Sequence, residues 1–426
     1  MTTRKLIDDC FVHDKDRLRH AEALALLKAR VAPVTAAEML PLAAAAGRIL
    51  ALAVAAKRPV PAHHNAAVDG YAFAKADHDK ATDGALPVSG RAAAGHPLTT
   101  AAATGTAVRI FTGAVLPEGC DTVVMQEDVG VAGGLVKIPQ GLKSGANVRK
   151  AGEDVRQGET LFRPGHIVRP QDLAALASVG LAEVSCFQRL SVAIVSTGDE
   201  VIRPGTRALE AGDVFDANAP MLGALVASAG ADFTDLGVLP DDPAAIRSAL
   251  AAAAGKHHVI LTSGGASRGE EDHMVAVLDA LGKRHLWQLA VKPGRPMSFG
   301  QIGDCVVVGL PGNPVAVFVC VLMYVWPMLR SLAGAPWPEP RRLMLPAAFN
   351  FPDRKTGRRE YWRGMLRDGP ADNPCGLTVD KYTRDGSGLI SSLRESDCLI
   401  EIPEDVTGVA VGDPVAVIPF TEFGIV

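Results

Sequence analysis

The chain has 426 residues, with 43 Lys and Arg against 47 Asp and Glu, a formal net charge of −4. That length suits about three domains of roughly 150 residues, each with a buried core. Hydrophobic residues at 48% and charged residues at 21% exclude a disordered or coiled-coil protein, and the near-neutral balance gives no case for general nucleic-acid binding.

Residues 14–31 place Leu18, Ala21, Ala25 and Lys28 on one face and predict a helix with a wide apolar stripe. A second Ala-rich stretch, 36–54, predicts another helix, broken near Pro41 and Gly47. Between 61 and 150, short Val/Ile/Thr-rich runs such as 107–111 and 122–125 alternate with Gly, Pro and Asp turns, which predicts a small β-rich domain. Helical spacing returns at 169–179. The expectation is a helical N-terminal domain made of 1–60 and 151–189, with the β-rich domain 61–150 inserted into it.

From 190 to 335 the pattern alternates. Apolar runs at 192–195, 259–261 and 306–310, with a weaker one at 233–239, predict buried parallel strands; helical stretches at 218–229, 243–254, 272–281 and 315–329 lie among them. Such alternation predicts an open, mostly parallel α/β sheet covered on both faces. The tail, 340–426, returns to short strands with turns at Asp385-Gly386, Thr407-Gly408 and Gly412-Asp413, and predicts a separate β-barrel-like domain. The fold class is therefore multidomain α/β.

Seven cysteines are scattered singly with no CxxC pair, which argues against a disulfide framework or a Cys-based zinc site and for a cytoplasmic protein. The first ten residues carry acids where a signal peptide needs an apolar core. The charge-free run 305–329 is broken by Gly309, Pro311, Gly312 and Pro314 and interrupted by Pro327. What is left, about 15 residues, spans roughly 22 Å against a roughly 30 Å hydrocarbon core, so a buried helix is expected and no membrane.

Each apolar run of the α/β section is followed by a polar or glycine-rich loop: Ser196-Thr-Gly-Asp-Glu200, Pro240-Asp241-Asp242-Pro243, Thr262-Ser263-Gly264-Gly265 and Pro311-Gly312-Asn313-Pro314. In an open parallel sheet the carboxyl ends of the strands share one rim, where ligands bind. The Ser263-Gly264-Gly265-Ala-Ser267 loop lets backbone N–H groups approach a ligand just before a helix whose N-terminus favours anions, and Asn313-Pro314 suits a helix start with Asn as N-cap. Glu200, Asp241 and Asp272, with Asp199, Asp242, Glu270 and Glu271, supply the hard oxygens that Mg²⁺ takes, while Lys292 and Arg295 add cationic donors. Singly, the loops also read as a tight turn at Ser263-Gly264-Gly265, a helix cap at Pro311-Gly312-Asn313-Pro314, a helix start at Asp241-Asp242-Pro243 and a solvated first turn at Glu270-Glu271-Asp272. Together on one rim they describe a Mg²⁺-dependent phosphate or nucleotide site. There is no GxxxxGK[ST] loop and no GxGxxG after a strand.

In this order the loops resemble the MoeA-type molybdopterin molybdenumtransferases, a family also found as the C-terminal half of gephyrin. The marks are Asn65-Ala-Ala-Val-Asp69-Gly-Tyr-Ala72, Arg109-Ile-Phe-Thr112-Gly-Ala114, Asn147-Val-Arg-Lys-Ala-Gly-Glu-Asp154 and Ser196-Thr-Gly-Asp-Glu200. They continue with the loop at 263–272, Lys292-Pro-Gly294, Pro311-Gly-Asn-Pro314, Trp362-Arg363-Gly364 and Gly386-Ser387-Gly388. The resemblance implies insertion of molybdate into adenylylated molybdopterin, with Mg²⁺-dependent release of AMP, as the final step of molybdenum cofactor biosynthesis. It implies functional roles for Asp69, Thr112, Asp154, Glu200, Asp241, Asp272, Lys292, Arg363 and Ser387. Lys292, Arg363 and Ser387 are assigned to molybdate because all three donate to oxyanions. Asp241 and Asp272, with Glu200, are assigned to Mg²⁺. Asp69 and Thr112 are expected to be reached across a homodimer with composite clefts, and contact with other molybdenum cofactor enzymes is expected. Two positions depart from the family pattern: Gln288, where many relatives carry lysine, and Ala316, where many carry serine. The rival readings are a non-catalytic molybdopterin- or oxyanion-binding module and a hydrolase of another nucleotide diphosphate.

Overall fold

The structure is a computed structural model and describes residues 17–264, 273–369 and 376–426. The first helix is His20–Arg30, and it buries His20, Ala23 and Leu27, whereas Ala21, Ala25 and Lys28 face outward. The expected face is therefore wrong. Alanines bury too little area to set a helix's orientation, and the larger Leu27 does so instead.

The expected second helix at 36–54 is absent. Ala37–Pro41 is a strand paired antiparallel with Glu183–Phe187, followed by a 3₁₀ turn at Leu42–Ala44 and a short strand, Val54–Ala55, paired with Thr160–Phe162. Strand pairing overrides the helical propensity of alanine here, and Pro41 stops any helical run. The N-terminal region is mixed, with helix Pro170–Ser178 packed beside these strands, and not the helical unit the composition predicts. The segment between its two halves forms its own six-stranded sheet, in which Gly70–Phe73 lies between Thr122–Met125 and Ala107–Ile110.

Four parallel strands form the α/β sheet: Asp232–Leu239, Ser191–Thr197, Val259–Ser263 and Cys305–Leu310, side by side in that order. Apolar clusters cover both faces of the three inner strands, which read as continuous hydrophobic runs, whereas the edge strand Asp232–Leu239 is partly exposed and reads more weakly. Register aligns their ends: Thr197 lies opposite Leu239, Ser196 opposite Ser263, and Ser263 opposite Leu310. The loops that follow therefore leave one rim. Two antiparallel strands, Pro296–Ile302 and Lys283–Gln288, extend the sheet at the Cys305–Leu310 side and were not predicted, because 283–288 carries polar residues in place of an apolar run.

Pro314–Leu332 forms one continuous helical stretch of 19 residues in which Val321–Val325 makes a π turn before Pro327. The expected interruption at Pro327 does not occur. The π turn shifts the hydrogen-bond register just where proline cannot donate. The stretch is long and apolar enough to cross a membrane, and 94% of it is buried inside the protein, so burial and not length accounts for its composition. Among the described residues the cysteines are free, and burial pushes the thiols of Cys305, Cys320 and Cys398 up to about 12.

The tail forms an antiparallel sheet in which Arg359–Asp368 pairs with Cys398–Ile402, which pairs with Pro414–Pro419, which pairs with Leu343–Pro346. Leu377–Lys381 pairs with the far half of Arg359–Asp368. A two-residue strand from the α/β region, Val291–Lys292, adds to this sheet parallel to Arg359 and Glu360, which fastens the two regions together.

At the same junction His20 is buried against Tyr324 of the π turn and Tyr361 of the tail sheet: its Nδ1 lies 2.9 Å from the Tyr324 hydroxyl, and Tyr361 donates to Glu401 at 3.2 Å. Burial, with Arg359 nearby, holds the imidazole pKa down to about 4. The unfolded chain, with an ordinary value near 6.5, takes up this proton first on acidification. The stability due to neutral His20 is thus fully present above about pH 6.5 and is lost as pH falls toward 4, by about 3 kcal/mol in all. Urea unfolding across that window should show the loss in the native chain and a shallower slope in His20→Phe; parallel slopes would remove His20 as its source.

Candidate oxyanion site

A cavity of about 580 Å³ opens between the α/β rim and the tail sheet. That volume lies within the range typical of small-molecule sites. From the α/β side come Gly264, Lys292 and the Pro311-Gly312-Asn313 loop; from the tail come Trp362, Arg363, Asp385 and Ser387.

Arg363 is only 5% exposed. Its Nε donates to Ser392 Oγ at 3.1 Å, and its Nη2 reaches the carbonyls of Gly386 and Arg384 at 3.4 and 3.5 Å. Among the described residues no carboxylate forms an ion pair with it, and burial lowers its pKa from the ordinary arginine value. A surface salt bridge, the bland alternative for this residue, is excluded. A buried cation held by neutral acceptors on a cavity wall is an anion site in waiting, because desolvation strengthens its pull on an incoming negative charge.

Lys292 reaches the same cavity from the cross-paired strand. Its side chain is 45% exposed, with Nζ 3.6 Å from Oε2 of the buried Glu360. Glu360 also accepts from Trp362 Nε1 at 2.8 Å, so one acid sets both a cation and an aromatic wall. Behind Lys292, Gly294 has φ +104, and a Cβ there would lie 2.5 Å from Cys320 Sγ; glycine alone fits.

Asn313 occupies the N-cap of the Pro314 helix, as expected, yet its side chain makes no capping bond. The cap comes from elsewhere: Val315 N–H donates to the Ser387 carbonyl at 3.0 Å. Asn313 lines the cavity, and the helix start is tied to the loop that carries Ser387. Ala316 also lines the cavity, so the methyl stands where a serine would present its hydroxyl.

Of the remaining predicted residues, Ser263 is buried and its Oγ accepts from Asn218 Nδ2 at 2.7 Å. Pro314 starts the helix. Glu200 and Asp241 do not line the cavity. Their loops lie side by side, since Asp241 N–H donates to Asp199 Oδ1 at 3.1 Å and Asp199 N–H to Asp241 Oδ2 at 3.3 Å. Of this side of the rim, Thr197 comes nearest the wall: a Cβ added at Gly264 would lie 3.0 Å from Thr197 Oγ1. Asp242 caps the following helix by accepting from Ala245 N–H at 2.8 Å, which leaves Asp241 on the rim. Among the described residues no three Asp, Glu, His or Cys side chains gather as a metal cluster. Gly265, Ser267 and Asp272 lie outside the described residues.

Asp69 and Thr112 meet each other in the inserted sheet: Asp69 Oδ1 accepts from Thr112 N–H at 2.8 Å and from its hydroxyl at 2.7 Å, which lowers the carboxyl pKa. Neither they nor the exposed Asp154 line the cavity within one copy of the chain.

Sequence reasoning missed Asn218. Its amide also donates to the Gly312 carbonyl at 2.7 Å, so one buried side chain ties the loop after Val259–Ser263 to the loop after Cys305–Leu310. Asp216 fixes it by accepting from the N–H groups of Asn218 and Ala219 at 3.1 and 3.0 Å. The signal was present as Asp216-Ala-Asn218 at a helix start.

Two cations, a hydroxyl-bearing loop and glycine-lined strand ends thus meet at one cavity on the rim of an open α/β sheet, a donor set of the kind oxyanions take. Comparisons narrow the class. The family model for the MoeA N-terminal region (domain I and II) matches residues 18–180, that for a probable molybdopterin binding domain matches 193–331, and that for the MoeA C-terminal region (domain IV) matches 345–420. A molybdopterin molybdenumtransferase of Haemophilus influenzae is 35% identical over 91% of this chain and 94% of its own length. Molybdopterin molybdenumtransferase 2 of Mycobacterium tuberculosis is 34% identical over 92% and 96%. The crystal structure of the molybdopterin biosynthesis MoeA protein of Pyrococcus horikoshii OT3 superposes with a TM-score of 0.80 at 29% identity, covering 95% of this chain and all of that one. The chain belongs to the MoeA family.

Proposed function

We propose that this chain is a molybdopterin molybdenumtransferase that inserts molybdate into adenylylated molybdopterin and releases AMP, the final step of molybdenum cofactor biosynthesis, and that the cavity holds the molybdate. The observation that carries the site is Arg363: a buried guanidinium that forms no ion pair among the described residues, on the wall of the same cavity as Lys292 and Ser387. Lys292 and Arg363 supply two positive charges to a tetrahedral dianion, and the Ser387 hydroxyl and Asn313 amide add neutral donors. The glycine-containing strand ends at Gly264 and Gly312 let the phosphate end of the pterin substrate approach the backbone.

The chemistry of the donors fits Mg²⁺: Asp241 and Glu200, with Asp199 beside them, offer hard carboxylate oxygens on two hydrogen-bonded loops of the α/β rim, and the resemblance adds Asp272. When bound, the ion supplies charge neutralisation at the phosphates. Asp69, Thr112 and Asp154 belong to a cleft shared across a homodimer, the inserted domain of one copy reaching the rim of the other. The organisation is four domains: 1–60 with 151–189, 61–150, 190–335 and 340–426, the last barrel-like. The protein works in the cytoplasm, in contact with other molybdenum cofactor enzymes. Purified protein given adenylylated molybdopterin, molybdate and Mg²⁺ is expected to release AMP with turnover. Substrate binding without AMP release would instead favour a non-catalytic binding module.

A further inference from the structure

Among the described residues of the cavity wall there is a single acid, Asp385, on the loop that also carries Ser387. A carboxylate beside Lys292 and Arg363 opposes a dianion that those cations attract. The answer to it lies behind the wall. Lys381 does not line the cavity; its side chain is 9% exposed, and its ammonium donates to Asp385 Oδ1 at 2.7 Å and to the Tyr382 carbonyl at 3.2 Å. Its Nζ also sits 5.1 Å from the Phe351 ring centre and 5.5 Å from that of Trp362, whose ring is itself part of the wall. Burial among aromatic faces fixes the ammonium in place, and its contacts are a carboxylate, a carbonyl and two rings.

We propose that Lys381 is a specificity-determining residue: from behind the cavity wall it neutralises Asp385 and turns that carboxylate toward itself, so that the cavity accepts a fully ionised tetrahedral oxyanion. This rests on the oxyanion reading of the cavity. Without Lys381, Asp385 becomes a free carboxylate in the wall. It then repels every dianion, but it can accept a hydrogen bond from one that still carries a proton. Molybdate has no proton to donate near neutral pH, whereas hydrogenphosphate has one. Loss of Lys381 should therefore weaken molybdate more than phosphate.

The test is isothermal titration of the full chain with molybdate and with inorganic phosphate, at a pH where phosphate is doubly charged, for the native protein, Lys381→Met, and Lys381→Met combined with Asp385→Asn. Lys381→Met should weaken molybdate binding about tenfold, the order expected when one charge is unmasked near a dianion, with a smaller loss for phosphate. Removing the Asp385 charge in the same chain should restore most of the molybdate affinity. Recovery in the double variant is a result that a merely structural role for Lys381 does not produce. Unchanged molybdate binding in Lys381→Met, or a loss that the double variant fails to recover, overturns the inference and leaves the cavity reading standing. A native chain that binds no molybdate overturns the cavity reading and this inference with it.

Discussion

Arg363→Met is expected to raise the Kd for molybdate about 100-fold, the scale of losing charge-assisted hydrogen bonds to an oxyanion, with a much smaller effect on binding of the pterin substrate. The variant should be no less stable than the native chain. Arg363 is buried with neutral acceptors and carries a desolvation cost that a methionine of similar length removes. Opposite movement of function and stability marks a residue kept for its ligand. Arg363→Lys should fall between, since it keeps the charge and loses the planar fork. Titration calorimetry and thermal unfolding on the same samples decide the matter; a variant that loses stability in step with affinity would make Arg363 a structural residue, and the assignment of the cavity to an oxyanion would lose its main support.

The second large effect is expected at Asn218. Asn218→Leu removes both bonds of the amide, to Ser263 Oγ and to the Gly312 carbonyl. Two lost hydrogen bonds should lower stability by about 1–3 kcal/mol. Turnover should fall further than that figure suggests, by about 100-fold, because a displacement on the order of 1 Å in groups that position a substrate costs that much. AMP release measured beside urea unfolding separates the two effects. Native turnover in a chain that is merely less stable would show that the two loops hold their positions without the amide.

Much of the α/β region was legible from its sequence because its three inner parallel strands are buried on both faces and so appear as unbroken apolar runs, each ending in a loop of marked composition. Strand register then brings Gly264 and the Pro311-Gly312-Asn313 loop together, as the rim argument requires. Lys292 was legible as a cation near the rim, whereas Arg363 and Ser387 were named through resemblance, since nothing in local spacing says that a residue of the tail meets the α/β rim. That meeting depends on the Val291–Lys292 pairing with Arg359 and Glu360, a contact between distant segments. The N-terminal alanine runs misled because alanine is compatible with helix, strand or turn once a partner strand is present. Asn218, Lys381 and Asp385 escaped for another reason. A polar side chain whose role lies in what it bonds looks in sequence like any cap, turn or surface residue, and only its partners reveal the role.

The two-residue cross-pairing and the Ser387 carbonyl on Val315 hold together two sheets that each contribute one cation to a common space. An anion seated there touches both sides, so it acts as a third fastener. Ligand occupancy and cohesion of the two halves are consequently linked quantities, and saturating molybdate should raise the melting temperature of the junction in proportion to the logarithm of its concentration over Kd. An enzyme built this way is tightest when loaded and loosens as product leaves, so the same seam that forms the site is also suited to let go of what it makes.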